Sequence, residues 1–135
     1  EYMEELCELC WTGGFDVLAH FDVVKRVLPK NHTVAAWPRV VEYMRDALRG
    51  MVKNQIALEI NTWTVRNGMS ETSAPGWLVS EFRRMGGEMV TFGSDAHYVN
   101  HIGSYYPDAL NAARQAGFTE WTIFKRREPM SIPFA

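Results

Sequence analysis

Apolar positions along the chain alternate between a helical and a strand period. From Tyr2 to Thr12 they fall at Met3, Leu6, Leu9 and Cys10, a three-and-four spacing that predicts a helix stopped by Gly13-Gly14. Phe15-Asp16-Val17-Leu18-Ala19 reads as a first strand ending at His20. Asp22 to Leu28 reads as a turn of helix or loop closed by Pro29. A second helix opens at Trp37-Pro38, proline suiting its first position, with Val40, Val41, Met44, Ala47, Leu48 and Met51 as its apolar stripe. Gln55 to Asn61 is a second strand, and the polar run from Asn67 to Ala74 is a loop. Pro75 opens a third helix with Leu78, Val79, Phe82 and Met85 inward, ended by Gly86-Gly87. Glu88 to Phe92 is a third strand, Pro107 to Gln115 a fourth helix, and Glu120 to Phe124 a fourth strand. The remainder, basic and then carrying Pro129 and Pro133, reads as a tail.

Four strand-like runs alternating with helices predict an α/β fold of about four parallel βα units. That is about half of an eight-unit barrel. A half-barrel has two open edges and an uncovered inner face, so the pattern predicts association with a second copy or with the rest of a larger barrel.

Composition narrows the class without naming a chemistry. The chain has 135 residues, 47% apolar and 22% charged, an ordinary globular mix for one domain. A net charge of -2 gives no electrostatic case for nucleic acid. No apolar run is long enough to span a bilayer, and no signal-peptide pattern is present. Two cysteines in one helical segment make no disulfide framework, and a reducing cytoplasm is the expected compartment.

Candidate chemistry sits at the strand ends. Gly93-Ser94-Asp95-Ala96-His97 follows the third strand, with glycine read as the residue that lets the backbone turn. Asp95 and His97 then offer a carboxylate and an imidazole at i and i+2, a pair suited to zinc, manganese or iron. The plainer alternative is an Asx-turn beside an ordinary loop histidine. His20 at a comparable strand end shifts the balance towards metal, and the three side-chain tips are expected to converge on one ion at bonds of ~2.0–2.2 Å.

Glu59 and Asn61, at i and i+2 of the second strand, face one way. They serve either a metal ligand or a structural hydrogen-bond network. Asp22 either orients a ligand or caps the following turn. Arg26 and Arg66 follow strands and are candidates for phosphate, with Lys25 the weaker one. Cys7-Glu8-Leu9-Cys10 lies inside a helix without a preceding strand or further ligands, and reads as packing. His32 and His101 have no identifiable partner.

The runs His20-Phe21-Asp22-Val23-Val24-Lys25-Arg26, Leu58-Glu59-Ile60-Asn61-Thr62 and Gly93-Ser94-Asp95-Ala96-His97 resemble, in order and spacing, the C-terminal half of the histidinol-phosphate phosphatase branch of the polymerase-and-histidinol-phosphatase (PHP) superfamily. The resemblance covers nearly the whole chain. It implies a distorted (β/α)7 barrel with a trinuclear metal centre at the strand C-termini, and removal of phosphate from histidinol phosphate in histidine biosynthesis. By motif, it makes His20, Asp95 and His97 metal ligands, with Asp95 and His97 acting in catalysis. The family's earlier ligand blocks would precede residue 1, so residues 1–135 are expected to be a partial PHP domain, inactive or nearly so alone. Ala19 stands where glycine is usual, and Trp63-Thr64 where small residues are. The Trp63 departure leaves open a PHP phosphoesterase for another small phosphate ester. A third reading is a non-catalytic remnant or assembly domain.

Overall fold

A parallel sheet forms around the shortest apolar runs, because each is hydrogen-bonded to a neighbour far away in sequence. In the computed structural model, which describes residues 1–27 and 37–135, strands β1 (Val17–Leu18), β2 (Ala57–Asn61) and β3 (Val90–Gly93) lie side by side in chain order, all parallel. The register sets Leu18 beside Leu58, Leu58 beside Val90, and Ile60 beside Phe92. One face therefore carries Leu18, Leu58, Ile60 and Val90, all buried. Helices α1 (Tyr2–Thr12), α2 (Pro38–Lys53), α4 (Gly76–Arg84) and α5 (Tyr106–Gln115) supply the rest of this core through Leu6, Cys10, Met44, Leu48, Leu78 and Phe82.

The helical stripes follow the expected spacing with one exchange. In α1 it is Cys7 that is buried, and Leu9 is 46% exposed. Cys7 faces α2, where its Sγ lies 3.0 Å from the Tyr43 carbonyl oxygen. The α1–α2 crossing is close because Gly50 carries no side chain: a Cβ there would lie 2.9 Å from the backbone of Cys10 and Trp11. Trp37 caps α2 with Pro38 in its first turn, as the sequence predicts.

The fourth strand departs from expectation. β4 (Glu120–Lys125) has no ladder with β3; it pairs antiparallel with β5 (Glu128–Pro133), the segment that reads as a tail. The turn is Arg126-Arg127, both with positive φ (52° and 68°), the geometry of a tight two-residue hairpin. Asn-Gly would announce that turn in the sequence; Arg-Arg does not. Pro129 and Pro133 are tolerated because β5 is an exposed outer strand. Arg127 also forks onto Asp16 (Nη2–Oδ1 3.0 Å, Nε–Oδ1 3.2 Å), tying the hairpin tip to the start of β1. A short helix, α3 (Trp63–Arg66), follows β2 directly.

The sheet's second face carries Val17, Glu59 and Thr91. Val17 and Thr91 face Ile123, Phe124 and Ile132 of the hairpin across a cavity of about 420 Å³. The expected wide apolar inner face is thus a narrower mixed one, with Ile123, Met130 and Ile132 exposed on the hairpin. Among the described residues, no helix is long and apolar enough to cross a membrane. The expected closure at Pro29, and His32, lie outside the described residues.

Candidate functional site

The carboxyl ends of β1, β2 and β3 gather the residues singled out by the sequence. A 570 Å³ cavity lies at the opposite end of the strands, lined by Phe15, Asp16, Gln55 and Arg127, and holds none of them.

Glu59 is the junction. Its Oε2 accepts from the His20 backbone N–H at 2.8 Å and from Asn61 Nδ2 at 3.1 Å, while Asn61 Oδ1 accepts from the Trp63 N–H at 2.9 Å. Its Oε1 lies under Gly93, where a Cβ would come within 1.9 Å of it. One carboxylate thus ties the ends of β1 and β2 and lies against the end of β3. This also revises the role of Gly93. Its backbone is not in the left-handed region; glycine is required there because Glu59 fills the space of a side chain. The residues that turn the chain are the candidate ligands themselves, His20 with φ 35° and Asp95 with φ 52°. Non-glycine residues in that region are uncommon and cluster at functional sites.

Asp95 is largely covered, its side chain 17% exposed, and it pairs with Arg26 through Oδ2. Its Oδ1 is 3.7 Å from His97 Nδ1, and that nitrogen is 3.0 Å from the Asp95 carbonyl oxygen. The His97 imidazole is 70% exposed. The Arg26 guanidinium stacks 4.5 Å over the Trp63 ring. Trp63, where the resembling family has a small residue, therefore has a defined task as a platform for Arg26.

Arg66 differs from expectation. It donates to the Ser94 carbonyl, to Ser104 Oγ at 3.0 Å and to the Asp95 carbonyl at 2.9 Å. It braces the Gly93–Asp95 turn, which Thr62 supports through N–H to the Gly93 carbonyl at 2.9 Å. Of the two candidates, Arg26 is the one whose head meets only side chains among the described residues, Asp95 and the Trp63 ring.

Asp22 does not reach His20's ring. Buried completely, it accepts from Ser73 Oγ (2.5 Å) and the Ala74 N–H (3.0 Å), and its Oδ2 is 2.6 Å from Lys25 Nζ. Lys25 is itself buried and reaches Glu71 at 2.6 Å, so it is no phosphate ligand. This triad anchors the loop after β1 to the loop before α4. Asp22 and Lys25 are neighbours, but their partners Glu71 and Ser73 lie 46 and 51 residues on, which is why only a local cap was legible. Cys7 and Cys10 are buried in α1, and burial pushes the Cys10 thiol up to about 12, consistent with packing rather than reactivity.

The donors fit a hydrolytic metal in part. Carboxylate and imidazole stand together at Asp95 and His97, yet among the described residues no three His, Cys, Asp or Glu side chains are gathered closely enough to hold an ion. The expected convergence of His20 with the Asp95–His97 pair is therefore not found.

No family model matches the chain. It is similar, at 30% identity over 113 residues, to the probable histidinol-phosphatase of Clostridium acetobutylicum, covering 83% of this chain and 43% of that protein. Against the probable histidinol-phosphatase of Thermotoga maritima identity is 30% over 121 residues, 87% of this chain and 48% of that one. The crystal structure of histidinol phosphate phosphatase from Lactococcus lactis subsp. lactis, complexed with zinc, L-histidinol and phosphate, superposes with a TM-score of 0.71 at 24% identity, over 96% of this chain and 51% of that one. The fold is thus that of half of this structure. The chain spans about half the length of the curated relatives it matches.

Proposed function

We propose that this chain is the C-terminal half of a PHP-type distorted (β/α)7 barrel, and that the complete protein hydrolyses histidinol phosphate to histidinol and phosphate. The observation that carries this is the pairing of Asp95 with both His97 and Arg26 at the carboxyl ends of a parallel sheet, where α/β proteins bind ligands. The similarity to histidinol-phosphatases supports the substrate.

His20, Asp95 and His97 would hold zinc, manganese or iron together with ligands from the other half, as in the trinuclear centre that the resemblance implies. When bound, the metal supplies a water of lowered pKa and neutralises phosphoryl oxygens. The chain's own residues supply the rest. Arg26 presents a guanidinium fork to the phosphate from its Trp63 platform. Arg66 fixes the backbone that carries Asp95, and Glu59 fixes the backbone of His20. The exposed Ile123, Met130 and Ile132 are a surface for the other half to cover, or a second copy in its absence.

Phosphate release from histidinol phosphate tests the reading. The chain alone is expected to be inactive, and joined to the N-terminal half of a relative it is expected to turn over. Asp95→Asn in the joined protein should lower turnover at least ~100-fold if this carboxylate serves the charge-stabilising machinery. Full turnover by the chain alone, or by the Asp95→Asn protein, would overturn it.

A further inference from the structure

The 570 Å³ cavity at the amino ends of the strands takes no part in the proposed reaction, yet it has the make-up of a binding site. Its volume suits a small molecule rather than a bare ion, and among the described residues no three His, Cys, Asp or Glu side chains gather to hold a metal. The floor is apolar: Met51, Ile56 and Phe82 line it and are almost fully buried. Phe15 and Phe124 add aromatic wall. The lining includes two glycines of positive φ, Gly14 (89°) and Gly86 (102°), and a Cβ on Gly14 would meet nothing within 4 Å, so the space is open there.

The charge around the cavity is negative. Helices α1, α2 and α4 end at Thr12, Lys53 and Arg84, and residues just past each end, Gly14, Gln55 and Gly86, line the cavity. Helix carboxyl ends carry partial negative charge and favour cations. The ionised side chains of the lining are Asp16 and Glu88 against Arg127, two negative charges to one positive. The basic residues of the last helical turns do not reverse this, for none lines the cavity: Lys53 lies 5.1 Å over the Trp11 ring, Arg84 pairs with Glu81 at 2.8 Å, and Arg83 donates to the Gly87 carbonyl at 3.1 Å. One organic cation is already accommodated here. The Arg127 guanidinium takes Asp16 (Nη2–Oδ1 3.0 Å) and the Gly14 carbonyl (3.3 Å), from a backbone position, φ 68°, that favours Asn or Gly. Asp16 is thereby neutralised, whereas Glu88, exposed, enters no ion pair among the described residues.

We propose that this cavity binds a small organic cation: a primary ammonium carrying an aromatic body, with the ammonium on the Glu88 carboxylate and the body on the Met51–Phe82 floor. The apolar floor takes the ring by burying it, and the unpaired carboxylate with the helix ends selects the positive head. The site uses neither metal nor phosphate, and it lies at the opposite end of the strands from Asp95 and His97.

Titration calorimetry on the 135-residue chain tests this with two probes of one shape, phenethylamine and 2-phenylethanol, at neutral pH and low salt. The amine should bind at least ~5-fold more tightly than the neutral alcohol, a difference of about 1 kcal/mol. Glu88→Gln should remove most of that difference by weakening the amine alone; the position is exposed, so the fold should be unaffected. Val52→Phe, which adds bulk to the cavity lining, should weaken both probes in a protein whose circular dichroism matches the parent. Equal affinities for amine and alcohol, or an amine affinity unchanged by Glu88→Gln, would overturn the cation reading. So would neither heat nor a raised thermal midpoint at millimolar amine. Binding of both probes unchanged by Val52→Phe would place them elsewhere and overturn the site itself.

Discussion

Gly93→Ala tests the junction at the strand ends most sharply. The added Cβ would lie 1.9 Å from Glu59 Oε1 and 2.6 Å from its Cδ, so the carboxylate must leave. Leaving breaks its bonds to the His20 N–H (2.8 Å) and to Asn61 Nδ2 (3.1 Å). Each hydrogen bond to a charged acceptor contributes ~1.5–3 kcal/mol. Asn61 is 1% exposed, so water cannot easily replace its lost acceptor, whereas half-buried Glu59 recovers part of its hydration. The net cost should be about 2–3 kcal/mol. No left-handed φ adds to it, since Gly93 lies in extended backbone. In urea unfolding, with a slope of ~1–2 kcal/mol per molar for a small domain, the midpoint should drop by about 1–3 M. The two sites should also be strongly non-additive: in a Glu59→Ala background, where nothing occupies the space, Gly93→Ala should cost under ~0.5 kcal/mol. A small cost in the parent, or equal costs in both backgrounds, would refute the reasoning.

Three further outcomes follow from the same structure. Gly50→Ala should lower the thermal midpoint, because its Cβ meets Cys10 and Trp11 backbone at 2.9 Å and overpacking of ~1–3 kcal/mol outweighs the gain in helix propensity; an unchanged or raised midpoint would contradict the α1–α2 crossing. Asp22→Ala should cost about 3 kcal/mol in urea unfolding, since it leaves buried Lys25 with Glu71 alone and takes the acceptor from Ser73 and the Ala74 N–H. Burial holds the Cys10 thiol near about 12, above the ~8.5 of an unfolded thiol, so its contribution is full below pH ~8.5 and is lost as pH rises towards the folded value. Stability should therefore fall by up to ~1.4 kcal/mol per pH unit over that range, a slope that Cys10→Ala removes; identical slopes would show that the thiol is not the cause.

What was legible in the sequence was whatever its cause lies close by. The stripes of α2 and α4, the proline and glycine stops, and the second and third strands, the latter read to Phe92 and found to end at Gly93, are all set by residues within a few positions. The hairpin was hidden because a prolyl strand and an Arg-Arg turn carry the opposite local signals. In the candidate site, His20, Asp95 and His97 could be found as polar residues ending apolar runs. Their supports could not: Glu59 reaches His20 across 39 positions, Arg66 reaches Asp95 across 29, and Asp22 reaches Ser73 across 51. Such contacts exist only once the sheet has brought strand ends together. Gly93 shows the difference plainly, since its residue type was noticed for flexibility and is needed for Glu59's oxygen.

The account's central claim is that these strand ends hold a metal used on a phosphate ester. Anomalous diffraction at the zinc edge, on crystals of the chain joined to the N-terminal half of a relative and soaked with zinc and inorganic phosphate, tests it most directly. Zinc is expected at the Asp95–His97 pair, with bonds of ~2.0–2.2 Å and Arg26 on the phosphate. Zinc bound elsewhere, with Asp95 still paired to Arg26, would contradict it.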